Sequence, residues 1–166
     1  MKIEEFNKIV DYVVQKCIEL KDEYVEEELE IDYICIFSQN QEEYDQFLKL
    51  TSSIGKMVYE TKTGPVFKFN LPPQTIAGTP KLLKIRMPDK TRPQRGDVDF
   101  NTDYDSFKKK YFDNRRFKLV KSWDGVEMIE LRDKEFDVLV YFSISPLSKK
   151  LGVYNDQFSS RIFKKL

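Results

Sequence analysis

The sequence predicts an α+β fold: two successive βαβββ units preceded by an amphipathic helix. Three observations carry that prediction. The first 24 residues hold an apolar stripe at helical spacing, the chain turns β-branched and aromatic at Ile31, and the order strand, helix, strand, strand, strand then runs twice. At 166 residues the chain suits one domain with an ordinary core.

In the first segment Ile3, Phe6, Val10, Val13, Cys17, Leu20 and Tyr24 recur at spacings of three and four, which places them on one helical face. Such a stripe packs on the outside of a sheet or forms a homodimer seam, since strict three-four alternation is that of a two-helix interface. The acidic run 26–28 ends the pattern. Residues 31–38 read as a strand. Residues 39–53 read as a helix with Tyr44, Phe47, Leu48, Thr51 and Ile54 on one face, ended by Gly55. Strands are expected at 56–61 and 66–70, joined by a turn containing Gly64 and Pro65. Residues 71–80 carry three prolines and a glycine and form a loop, after which 82–87 is a fourth strand.

A polar linker, 88–95, leads to the second unit. There 97–101 is a strand and 103–114 a helix with Tyr104, Phe107 and Tyr111 on one side and Asp103 as N-cap. Strands follow at 117–122, 126–131 and 136–143, with Asp124-Gly125 marking a hairpin turn. The helix starts share a short signature, Tyr44-Asp45-Gln46-Phe47 and Tyr104-Asp105-Ser106-Phe107. Together with the repeated element order this points to an internal duplication. The chain thus divides into an N-terminal helix (1–30), a paired βαβββ domain (31–146) and a tail (147–166) packing on it. In the tail Phe158, Ile162 and Phe163 fit one or two helical turns.

Composition narrows the function classes. Lys+Arg and Asp+Glu both total 28, so nothing favours nucleic acid or an anionic membrane as the main partner. No run is apolar enough for a bilayer span or a signal-peptide core, so a cytoplasmic location is expected. Cys17 and Cys35 read as free buried thiols. The chain contains no histidine, which removes the commonest neutral-pH base and the commonest transition-metal ligand.

Several stretches carry a family resemblance. The strand Asp32-Tyr33-Ile34-Cys35-Ile36 looks like an Asp-His-hydrophobic opening. Lys84-Ile85-Arg86-Met87-Pro88, continuing through Arg92-Pro93 to Gly96-Asp97-Val98-Asp99-Phe100, looks like a strand, proline-bearing linker and next strand. With the duplicated βαβββ order, residues 31 to 143 resemble the vicinal oxygen chelate superfamily of glyoxalases, bleomycin-resistance proteins and extradiol dioxygenases, most of all its YecM-like branch. The resemblance implies one cup-shaped mixed sheet with helices outside. It also implies metal ligands in the first strand, the fourth strand and the start of the second unit. By position these fall on Tyr33, Arg86 and Asp97, where the family typically has His, Glu and His.

Those replacements do not make the family's metal site. Guanidinium has no lone pair to donate, and a phenol with a pKa of about 10 is a poor zinc ligand at neutral pH. No metal and no cofactor are therefore expected, although Asp97, Asp99 and a further glutamate could suit Mg²⁺ or Ca²⁺. Strand alternation turns Leu83, Ile85 and Met87 toward the helices and Lys84 and Arg86 into the cup. It sends Val98 and Phe100 outward and Asp97 and Asp99 inward, opposite Tyr33, Cys35 and Phe37. Glu127 or Glu130, and Asp137 with Tyr141, are weaker additions. The charged set either neutralises itself or holds a ligand, and the basic linker 88–95 is either a solvated crossover or an edge near the cup mouth.

Three functions fit these residues. The first is a metal-independent protein binding a small polar or anionic ligand through Tyr33, Lys84, Arg86, Asp97, Asp99 and Tyr141. The second is an isomerase or lyase with Asp97 as base and Arg86 as electrostatic stabiliser. The third is an interaction module dimerising through the N-terminal helix.

Overall fold

The computed structural model describes residues 1–122 and 125–153. Asp124 of the expected hairpin turn, and Phe158, Ile162 and Phe163 of the tail, lie outside the described residues. Gly125 has φ of 80°, the left-handed conformation that a hairpin turn asks of glycine.

Helix α1 (Ile3–Tyr24) precedes the first unit: β1 (Ile31–Phe37), α2 (Gln41–Ile54), β2 (Gly55–Thr61), β3 (Gly64–Phe69) and β4 (Leu82–Arg86). The second unit is β5 (Gly96–Phe100), α3 (Tyr104–Tyr111), β6 (Phe117–Lys121), β7 (Glu127–Leu131) and β8 (Val138–Ser143), followed by the short α4 (Leu147–Lys150). The eight strands form one mixed sheet in the order β2-β3-β4-β1-β5-β8-β7-β6. β1 and β5 meet antiparallel at its centre, and each pairs in parallel on its other side, β1 with β4 and β5 with β8. The two units therefore use the same strand order outward from the centre. No described helix is long and apolar enough to cross a membrane.

Helices α1, α2 and α3 lie on one face of the sheet. Phe6, Val13, Cys17 and Leu20 of α1, Phe47 of α2 and Phe107 of α3 pack with Ile34, Ile36, Leu83, Ile85, Val98 and Phe142 in the main core. The stripe offered above as a homodimer seam is thus occupied by this chain's own sheet: Phe6, Val13, Cys17 and Leu20 are completely buried. A seam built from these residues would require α1 to leave the sheet.

Local chemistry fixes the helix ends. The Asn40 side chain accepts the Glu43 N–H at 2.9 Å and starts α2. Asp103 occupies the N-cap position of α3 but makes no cap bond, contrary to expectation; its carboxylate instead accepts the Ser106 hydroxyl at 2.9 Å. Gly64 and Pro65 open β3 rather than forming the turn. Gly64 has φ of 131°, and a Cβ there would fall 2.0 Å from the Ile85 carbonyl oxygen.

The other face of the sheet is the cup. Cys35, Phe37, Leu139, Met128 and Tyr141 cluster on it, and so do Val66 and Leu82 beside Val153 from the chain's last described turn. The register shifts at the β2–β3 edge, between Met57 and Tyr59, and on the cup's central strand β1, between Ile31 and Tyr33. Ile31 and Ile34 both join the outer core. Asp32 and Tyr33 are left to face inward together, the re-aiming that a bulge produces. Met87, expected on the helix-facing side, lies past the end of β4 and is 41% exposed.

Candidate functional site

The inner face encloses a cavity of about 270 Å³. Its floor comes from the four central strands: Tyr33 on β1, Lys84 and Arg86 on β4, Asp97 and Asp99 on β5, and Tyr141 on β8. All six residues singled out from the sequence are brought together there. Val120, Val126 and Met128 add an apolar wall from the β6–β7 side, and Leu147 closes part of the rim.

The register explains the convergence. Cys35 stands opposite Lys84 across the parallel β1–β4 pair and opposite Asp97 across the antiparallel β1–β5 pair. Side chains level with one another on adjacent strands share a face, so Lys84, Cys35 and Asp97 form a row. Phe37 and Arg86 are likewise level, with the guanidinium 5.3 Å from the ring centroid.

The floor charges do not pair directly with one another among the described residues, as the first of the two arrangements considered above would require. Lys84 and Arg86 form no ion pair with Asp97 or Asp99 among the described residues. Lys84 Nζ donates to Thr63 Oγ1 at 2.8 Å, and Arg86 Nη2 donates to Asp89 at 3.1 Å. Asp99 accepts the Ser143 N–H at 3.1 Å and bonds the Ser143 hydroxyl. Asp97 Oδ1 and Arg86 Nε are buried with no hydrogen-bond partner among the described residues. Unpaired polar atoms in such a place are costly unless something fills them.

Burial governs the acids. It pushes the Asp97 carboxyl up to about 7, against the pull of Lys84, Arg86 and Arg92. It pushes Asp99 up to about 8, against the Ser143 hydrogen bond. The phenol of Tyr33 rises well above its ordinary value, by burial and then by the nearby Asp97 and Asp99, so it stays a neutral donor.

Alternation alone did not identify Arg92. It belongs to the basic linker, leaves the sheet and returns to the cup, where Nη1 donates to the Tyr141 hydroxyl at 2.9 Å and lies 3.5 Å from Glu130. The Tyr141 hydroxyl in turn donates to Glu130 at 2.7 Å. The signal was the linker's charge beside the cup mouth, without any hint of which arginine turns in. Glu127 points to the helix side, accepting from Tyr104 and Lys108 at 2.8 and 2.7 Å. Asp137 also leaves the cup, because β8 begins only at Val138; it accepts the Tyr12 hydroxyl of α1 at 2.9 Å.

The donor set does not fit a metal ion. Among the described residues no group of three His, Cys, Asp or Glu side chains gathers as a metal would need. At the three positions implied by the family resemblance stand a neutral phenol, a guanidinium and a single carboxylate.

No family profile matches the sequence, and no curated protein does. Among solved structures the chain is similar to a structural-genomics protein designated EC4020, at 9% identity and a TM-score of 0.70, over 91% of this chain and 92% of that one. That likeness shows a shared fold. A second similar structure is a glyoxalase/bleomycin resistance protein/dioxygenase superfamily member from Vibrio splendidus 12B01, at 8% identity and a TM-score of 0.43, over 69% of this chain and 97% of that one.

Proposed function

We propose that this protein binds a small polar or anionic molecule in the cup without a metal ion, as a relative of the YecM-like branch whose ligand positions have changed. The supporting observation is the pair of buried, unpartnered atoms, Arg86 Nε and Asp97 Oδ1, on the floor of a cavity of about 270 Å³. Arg86 offers a planar donor to a carboxylate or carbonyl, held in place by Phe37 and Asp89. Tyr33 and Lys84 add donors beside it, and Asp97 adds an acceptor.

The test is a thermal-shift screen against small organic acids, with wild type and Arg86→Ala compared. Acids that raise the midpoint of wild type and lose that effect in the variant support the reading. A screen in which no acid stabilises wild type, or a stoichiometric metal in the purified protein held by cup residues, overturns it.

A second reading draws on the Asp97 carboxyl being pushed up to about 7, the range of a general acid or base at neutral pH. Asp97 would take a proton from a carbon next to the ligand's carbonyl while Arg86 holds the enolate oxygen. Returning the proton to the enolate is an isomerase step, and expulsion of a leaving group from the β-carbon by the enolate's electron pair is a lyase step. Exchange of that proton in heavy water, followed by NMR and abolished in Asp97→Asn, distinguishes it from binding alone.

A further inference from the structure

Lys84, Arg86 and Arg92 reach the cup floor beside Asp97 and Asp99, Lys121 and Lys150 stand at the cavity's sides, and Asp89 and Glu130 lie next to the two arginines. Most of the floor groups are matched: Arg86 with Asp89 at 3.1 Å, Arg92 with Glu130 at 3.5 Å, and Asp99 with the Ser143 N–H at 3.1 Å. On the floor, Lys84 has no carboxylate partner among the described residues and bonds the Thr63 hydroxyl. Asp97 Oδ1 is buried with no hydrogen-bond partner among the described residues. Both residues are only 6% exposed, so each charge keeps little contact with bulk solvent.

Lys84 and Asp97 flank Cys35 on either side in register. Their backbones are two strand spacings apart, roughly 10 Å. The short Asp97 side chain cannot cross that interval, and Lys84 is turned toward Thr63. What is left between them is a gap with a cation on one side and an anion on the other. Arg86 Nε, the second unpartnered atom, adds a donor to the Lys84 side because β4 carries both.

We infer that the cup's ligand is a small zwitterion of the amino-acid class, its carboxylate against Lys84 and Arg86 and its ammonium against Asp97; this rests on the ligand-binding reading above. A plain organic acid would satisfy the donors and leave Asp97 bare, whereas a plain amine would do the reverse. A zwitterion fills both and adds no net charge to the site. The apolar wall of Val120, Val126 and Met128 faces the rest of the molecule.

The test is isothermal titration calorimetry of the full chain at neutral pH with matched probes. These are leucine, 4-methylpentanoate (leucine without its amino group) and 3-methylbutylamine (leucine without its carboxylate). Phenylalanine and glutamate are run with their own deamino acids. An amino acid binding about tenfold or more tighter than its deamino partner supports the assignment. In Asp97→Ala that ratio falls toward one, and in Arg86→Ala both members weaken. Deamino acids binding as tightly as the amino acids overturn the zwitterion while leaving the ligand-binding reading intact. No binding by any probe overturns both. The comparison on wild type needs no variant, so a folding defect in either substitution does not blunt it.

Discussion

Arg95 grips Glu43 through two parallel hydrogen bonds, 2.8 Å from Nη1 to Oε2 and 2.6 Å from Nη2 to Oε1. The residue that leads into β5 is thereby tied to the first turn of α2, which couples the second unit to the first. Nη1 also donates to the Phe37 carbonyl at 3.0 Å, and the guanidinium sits over the Phe47 ring. Glu43→Gln should cost about 2 kcal/mol at neutral pH, because a mostly buried arginine loses its charged partner. Burial raises the Glu43 carboxyl, but the Arg95 hydrogen bonds, the Gln39 N–H and the Arg95 charge outweigh it and leave it lowered. A depressed carboxylate stabilises the fold above its unfolded pKa of about 4.3 and loses that contribution as pH falls through the folded value. Urea unfolding should therefore separate variant from wild type at pH 7 and bring them together near pH 3.

Asp97 and Asp99 act in the opposite sense. Their folded values, about 7 and about 8, lie above the unfolded value, so the native state holds more protons between them. Stability should fall as pH rises from about 4 to about 8, by an amount on the order of a few kcal/mol. Asp99→Asn keeps an acceptor for the Ser143 N–H and removes the charge. Its melting temperature should exceed that of wild type at pH 8.5 and approach it at pH 5. A melting temperature that is flat or rising for wild type over this interval would contradict the burial argument.

The period-two pattern made most of the site legible in the sequence. Lys84, Arg86, Asp97 and Asp99 sit in short strands whose alternate residues are unmistakably apolar, so their inward direction follows from their neighbours. Legibility ended where the backbone leaves the pattern. Asp32 turns inward because β1 bulges beside it, and no local residue type announces that bulge. Arg92 enters from a linker, whose direction depends on the whole fold. Asp137 has the right parity but precedes the strand. The α1 stripe was readable as a buried face, but whether it meets a sheet or a second copy is decided by contacts distant in sequence.

Gly96 lets Val13 of α1 lie directly against β5. A Cβ there would stand 2.4 Å from the Cys35 carbonyl oxygen and 2.8 Å from a Val13 methyl. The side chain could be accommodated only by moving backbone, since Cys35 is paired in the central strand. Gly96→Ala should cost about 2–3 kcal/mol by denaturant unfolding. Adding Val13→Ala should recover only part of this, because the carbonyl contact remains. Full recovery would place the strain in the helix instead.

Tyr141 links the linker to the second unit's inner face. Its hydroxyl accepts from Arg92 and donates to Glu130, a carboxylate residue only 6% exposed. Tyr141→Phe leaves that carboxylate short of a donor and should cost about 1–2 kcal/mol. It also unties Arg92 from β8. Hydrogen exchange should then speed up at the amides of 90–95 more than in β4 or β5. Equal change throughout would mean that the hydroxyl supports the fold generally and not the linker.

Asp32 holds the last described turn of the chain inside the cup. It accepts the Ser148 N–H at 3.2 Å and bonds the Ser148 hydroxyl, while Val153 packs with Val66 and Leu82 on the inner face. The segment from Leu147 is therefore part of the cavity wall, tied to the sheet by a buried aspartate at the β1 bulge and by Lys81 Nζ, which donates to the Val153 carbonyl at 3.1 Å. Burial raises the Asp32 carboxyl, and the Ser148 bonds only partly offset this. Asp32→Ala removes both bonds and leaves the Ser148 groups without their acceptor, a loss of about 1–3 kcal/mol concentrated on that segment. Limited proteolysis should cut the variant within residues 145–153 well before global unfolding, with the eight-stranded sheet intact by circular dichroism. Because Leu147 lines the cavity, loosening this wall should also weaken any ligand the cup holds. Faster cleavage with unchanged affinity would show that the segment covers the sheet without shaping the site.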